Sequence, residues 1–97
     1  MEYMRARIKV EGLVQGVGYR AYVAEIAARL GLNGWVRNLL DGGVEALLEG
    51  DESRVQQAIT SCRIGPPRAR VEHISIDISR NDIVGTTPEF ERFTIRY

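Results

Sequence analysis

Met4, Ala6, Ile8 and Val10 alternate with Arg5, Arg7, Lys9 and Glu11. This period of two predicts a half-buried strand. Gly12 to Gly18 holds three glycines, which suits a loop. From Tyr19 the period lengthens, and Tyr19, Val23, Ile26, Ala27 and Leu30 fall on one helical stripe. Gly31 is placed to stop that helix in a left-handed conformation. Gly34 to Leu40 and Gly43 to Glu49 then read as two strands joined at Asp41-Gly42, a hairpin signal. Asp51 is placed to cap a second helix with apolar positions Val55, Ala58, Ile59 and Cys62, ended by Gly65-Pro66-Pro67. Ile74, Ile76 and Ile78 mark another alternating strand, Arg80 to Glu89 a polar loop, and Phe93, Ile95 and Tyr97 a last strand.

The predicted order is β-α-β-β-α-β plus a terminal strand, in a single domain over residues 1–97. That order matches the α+β, ferredoxin-like split βαβ arrangement, with two helices on one face of a mainly antiparallel sheet. Many unrelated functions use this architecture, so it settles no activity.

Composition narrows the classes. A hydrophobic share of 44% and a charged share of 27% are those of an ordinary globular chain. No apolar run approaches the roughly 20 residues that cross a bilayer, so no membrane association is expected. Met1 to Arg7 carries Glu2, Arg5 and Arg7, unlike a secretory signal. One cysteine cannot form an internal disulfide or a metal cage. The expectation is a reduced, cytoplasmic, monomeric protein with no metal and no cofactor. Thirteen basic and thirteen acidic side chains cancel, whereas a general nucleic-acid binder usually carries a basic excess. RNA-recognition domains of this strand-helix order stack bases on aromatics of the central strands. Gly43 to Glu49 contains none, so no nucleic-acid partner is expected. A metallochaperone of this fold would need paired cysteines in its first loop, and only Cys62 is present.

The candidate chemistry lies between the first strand and the first helix, in Val14-Gln15-Gly16-Val17-Gly18-Tyr19-Arg20. A glycine-rich loop leading into a helix can aim several backbone N–H groups at one anion. Arg20 falls in the first helical turn, where a cation opposes the macrodipole unless an anion arrives to offset it. Its planar fork suits two phosphate oxygens. A solvated arginine beside a plain connecting loop would read the same way. Gly16-Val17-Gly18-Tyr19-Arg20-Ala21 also fits a dinucleotide fingerprint, but a hairpin at Asp41-Gly42 does not belong to the parallel sheet that motif requires. Asn38 is the second candidate: on a regular strand it shares a face with Val36 and Leu40. A polar residue there either hydrogen-bonds the turn backbone or has a purpose. His73 reads as a structural or surface residue and Cys62 as core, Glu45 and Glu49 as a solvated or ion-paired surface, and Trp35 and Tyr97 as packing residues.

Val10-x-Gly12-x-Val14-Gln15-Gly16-Val17-x-Tyr19-Arg20 resembles the first signature of the acylphosphatase family. Gly34-Trp35-Val36-Arg37-Asn38, followed by Gly42 or Gly43, Val44 and Gly50, resembles the second. Gly65-Pro66-Pro67-x-Ala69-x-Val71 and Phe93-x-Ile95-Arg96-Tyr97 are similar to further family segments. The resemblance implies metal-independent hydrolysis of small-molecule acyl phosphates to a carboxylate and inorganic phosphate, with phosphate or sulfate as competing anions. It implies that Arg20 binds the phosphoryl group, that Asn38 orients the attacking water, and that Gln15, Gly16, Val17, Gly18 and Tyr19 form the phosphate cradle. A domain of this family kept for protein interaction or regulation is the rival reading, separable by turnover number.

Overall fold

The computed structural model describes residues 2–80 and 92–97. Its elements run β1 (Tyr3–Leu13), α1 (Tyr19–Leu30), β2 (Asn33–Asn38), β3 (Val44–Asp51), α2 (Glu52–Ile64), β4 (Arg70–Ser79) and β5 (Phe93–Arg96). The strands form one sheet in the order β4-β1-β3-β2-β5. β1 pairs antiparallel with β3 and β4, β2 antiparallel with β3, and β2 parallel with β5. The fold is ferredoxin-like α+β with an added terminal strand, as the sequence order predicts.

Alternation in β1 decides which face is buried. Met4, Ala6, Ile8 and Val10 are fully buried beneath the helices, and the register carries that face across Leu48, Ala46 and Val44 of β3 to Val36 of β2. The helices close the core with Tyr19, Val23, Ile26 and Ala27 from α1 and Val55, Ala58, Ile59 and Cys62 from α2. Gly31 ends α1 in the left-handed region, with its N–H on the Ala28 carbonyl and the Leu32 N–H on Ala27. These bonds satisfy carbonyls that the helix end would otherwise leave bare.

Several boundaries differ from the sequence reading. Gly12 and Leu13 still belong to β1, which continues past a register shift at Glu11/Gly12. β2 stops at Asn38, and residues 39–43 form the connection, closed by the Leu39 N–H on the Gly43 carbonyl at 2.8 Å. Leu40 therefore leaves the strand and is fully exposed. Asp51 stands at the N-cap of α2 without bonding the helix backbone; its carboxylate accepts the Ser53 hydroxyl instead. Glu49 is fully buried, holding the Tyr3 hydroxyl at 2.6 Å and Arg5 Nε at 3.1 Å. The predicted 80–89 loop lies outside the described residues beyond Arg80.

Trp35 packs, but on the sheet face away from the helices. The guanidinium groups of Arg7, Arg37 and Arg96 lie 5.9, 5.2 and 4.8 Å from its ring centroid. Tyr97 does not pack in the core: it is exposed at the end of β5.

Candidate active site

The loop after β1 is shaped by its glycines. Gly16 and Gly18 take φ of 75° and 79°, while Val17 between them is not in the left-handed half of conformational space. Left-handed residues set between right-handed ones are the kind of backbone that can turn successive N–H groups toward one anion, as in a nest. A Cβ at either glycine would meet nothing within 4 Å. Conformation, and not lack of room, selects glycine at both positions. Gly18 is the N-cap of α1 and offers no side-chain acceptor, and the first turn carries no acidic residue. The first intrahelical bond runs from the Tyr22 N–H to the Gly18 carbonyl at 3.0 Å, so the N–H groups of the opening turn face outward with the positive end of the helix dipole.

A pocket of about 190 Å³ sits on this helix end. Its polar wall comprises Gly16, Gly18, Tyr19, Arg20 and Asn38, and its apolar wall Val14, Ala21, Ile95 and Tyr97. Arg20 and Asn38, eighteen positions apart, thus share one cavity. Topology explains the juxtaposition. β2 leaves the far end of α1 and runs back beneath it, so its last residue arrives beside the helix start.

β5 completes the pocket. Its parallel register places Ile95 opposite Val36 and Arg96 opposite Arg37, so the next step sets Tyr97 beside Asn38. The Arg20 guanidinium stacks 4.6 Å from the centroid of the Tyr97 ring and donates from Nη1 to the Arg96 carbonyl at 3.3 Å. A long, flexible cation is thereby held over the helix N-terminus. Sequence reading had no means of seeing this role for Tyr97, because a parallel pairing between β2 and β5 leaves no local signal.

The other expected cradle residues divide. Tyr19 is among the lining residues, but it is buried and its hydroxyl donates to the Cys62 carbonyl at 2.7 Å. Burial pushes that phenol far above its ordinary range. Val17 is packed against the core cluster, and neither it nor Gln15 lines the pocket. The Gln15 carboxamide turns instead toward the 39–43 connection, donating from Nε2 to the carbonyls of Leu39 and Gly43, both at 2.8 Å. The turn-bonding task open to Asn38 is thus performed by Gln15. Asn38 lines the pocket and makes no side-chain hydrogen bond to another described residue. His73 lies exposed on β4 within 3.2 Å of the Ser75 hydroxyl, and Cys62 is core, where burial pushes its thiol up to about 12. No group of three or more metal-ligating side chains occurs among the described residues, and no helix among them is long and apolar enough to cross a membrane.

Comparison with known proteins identifies the family to which this fold belongs. The acylphosphatase family model matches residues 6–95. An acylphosphatase of Aeropyrum pernix is 48% identical over 95 residues, covering 97% of this chain and 89% of its own. One from Rhodopseudomonas palustris is 46% identical over 89 residues, covering 92% and 90%. The crystal structure of acylphosphatase from Bacillus subtilis superposes with a TM-score of 0.87 at 39% identity, covering 97% of this chain and 99% of that one. With its domain, its length and its fold all matched, the chain belongs to the acylphosphatase family, enzymes that hydrolyse acyl phosphates.

Proposed function

We propose that this chain hydrolyses the carboxyl–phosphate bond of small acyl phosphates by positioning and charge stabilisation alone, with Arg20 binding the phosphoryl group and Asn38 orienting water. The observation that carries the reading is the shared pocket, which Arg20 and Asn38 line together with Gly16, Gly18 and the start of α1. An acyl phosphate is a mixed anhydride whose leaving group is a carboxylate of about the acidity of Glu, near pKa 4.3. It departs as the anion, so no general acid is needed. The phosphoryl oxygens sit in the nest, where the backbone N–H groups and the Arg20 fork offset the charge spread over them in the transition state. Asn38 holds a water in line with the scissile P–O bond. The water oxygen bonds phosphorus, the P–O bond to the acyl group breaks with its electron pair, and the water proton passes to a phosphate oxygen of the substrate. Carboxylate and inorganic phosphate result.

No protein base and no metal takes part in this scheme. Phosphate and sulfate, which reproduce the bound oxygens, compete with substrate. The test is hydrolysis of an aromatic acyl phosphate in the presence of a chelator, with Arg20→Ala in parallel. Turnover by the parent and none by the folded variant supports the reading. A folded parent without turnover rejects it and leaves the interaction or regulatory reading. A parent whose activity vanishes with chelation rejects the metal-free scheme.

A further inference from the structure

Gln15 occupies an unusual place among the residues of the first loop. Its Nε2 carries two hydrogens, and each has its own acceptor: the Leu39 carbonyl and the Gly43 carbonyl, both at 2.8 Å. Those carbonyls already bond each other's segment, Leu39 accepting the Gly42 N–H at 3.2 Å and Gly43 accepting the Leu39 N–H at 2.8 Å. The carboxamide therefore closes a network around the neck of the 39–43 connection. In sequence Gln15 precedes Gly16, the first residue of the nest, and Leu39 follows Asn38. One side chain bridges the two halves of the pocket from behind, spanning 24 and 28 positions of chain without entering the cavity.

We infer that Gln15 is a positioning residue: its amide fixes Asn38 relative to the phosphate loop, and so sets the line from water to phosphorus. The inference rests on the role of Asn38 proposed above. Chemistry restricts the choice at this position. A hydroxyl has one hydrogen for two acceptors, asparagine is a methylene too short, and an ionised glutamate presents oxygens to oxygens. Among the described residues, no other side chain donates to the backbone of residues 39–43. With the bridge removed, the connection keeps its own closing bonds, but the strand end bearing Asn38 loses its tie to the loop that holds the anion.

The test compares the full chain with Gln15→Met, Asn38→Ala and the double variant, each below its own unfolding temperature. Methionine keeps the volume and removes both donors. The readouts are kcat, KM and competitive inhibition by inorganic phosphate. A misplacement of about 1 Å costs on the order of 10²-fold in rate, so Gln15→Met is expected to lose about 10- to 100-fold in kcat with phosphate inhibition unchanged. In the Asn38→Ala background the same substitution is expected to change kcat hardly at all, because coupled residues are non-additive. A Gln15→Met enzyme with parental kcat, an equal loss in both backgrounds, or phosphate inhibition weakening in step with kcat would each overturn the inference. Parental kcat in Asn38→Ala would instead remove the role of Asn38, and this inference with it. The four-enzyme set therefore separates the two failures.

Discussion

Replacing Arg20 by lysine preserves charge and most of the reach, so it isolates the guanidinium fork. In the structure that fork already has partners: one nitrogen donates to the Arg96 carbonyl and the guanidinium carbon lies 4.6 Å from the Tyr97 ring centroid. Neither contact survives in the same form in lysine, whose ammonium is a rotating point donor without a flat face. A hydrogen bond to a charged group is worth about 1.5–3 kcal/mol, and the stack about 0.5–1 kcal/mol at an exposed site. Losing one of two parallel bonds to the phosphoryl group, together with the stack, removes about 2–4 kcal/mol of transition-state stabilisation. At about 1.4 kcal/mol per tenfold, Arg20→Lys should lower kcat/KM by roughly 30- to 700-fold. Alanine removes the charge as well and should cost about 10³ to 10⁵. The assay is loss of an aromatic acyl phosphate under initial-rate conditions, with folding of each variant checked by circular dichroism. If lysine works within threefold of the parent, charge alone suffices and the bidentate reading is wrong. A lysine variant as poor as alanine would also contradict it.

Other outcomes follow from the same geometry. Asn38→Ala should keep only a small, measurable residual turnover yet retain its affinity for inorganic phosphate; an anion affinity falling as far as in Arg20→Ala would show that Asn38 holds the anion and not water. Phosphate at about one hundred times its dissociation constant adds about 2.7 kcal/mol to stability, so differential scanning calorimetry should show a raised Tm for the parent and Asn38→Ala, and none for Arg20→Ala. Tyr19→Phe leaves the buried Cys62 carbonyl without the 2.7 Å hydroxyl, at about 1–3 kcal/mol, or roughly 5–20 °C in Tm for a domain of this size. Its kcat should match the parent at a temperature where both are folded, and a fall in kcat would place that hydroxyl in the chemistry. Burial raises the Cys62 thiol from 9.0 to about 12. The folded state then keeps a proton that the unfolded chain gives up, so stability is complete below about pH 9 and declines as pH rises toward 12. Urea unfolding of the parent against Cys62→Ala should show a flatter alkaline decline in the variant; equal slopes would mean the thiol is not the cause.

Much of the molecule was legible in one dimension because its causes are local. Alternation over Met4 to Val10 and the helical spacing of Tyr19, Val23, Ile26 and Ala27 named the residues that the core holds. The four apolar positions of α2 and the stop at Gly31 were equally plain. Asn38 was half visible: a polar side chain on an apolar strand face is conspicuous, but its purpose depends on whether another group bonds the turn, and that group is Gln15. Glu49 is ion-paired with Arg5, as its type suggested, but it is buried and not at the surface, for a related reason. Strand period assigns a residue to a face, but the depth of that face is set by neighbours, here Tyr3 and Arg5, which supply the donors that let a carboxylate be buried.

The sequence by itself determined the order of the elements, the buried face of β1 and of both helices, and a loop whose glycines and arginine suit an anion. Those properties follow from backbone conformational preference and hydrophobic period, which act between near neighbours. Tertiary structure alone decided that Arg20 and Asn38 share a pocket, that Gln15 ties its halves together, and that Tyr97 lies beneath the arginine instead of in the core. Those facts depend on the sheet order β4-β1-β3-β2-β5 and on the parallel register of β2 with β5. Such pairings join distant stretches of chain through backbone groups common to every residue, so the pattern within one stretch does not name its partner.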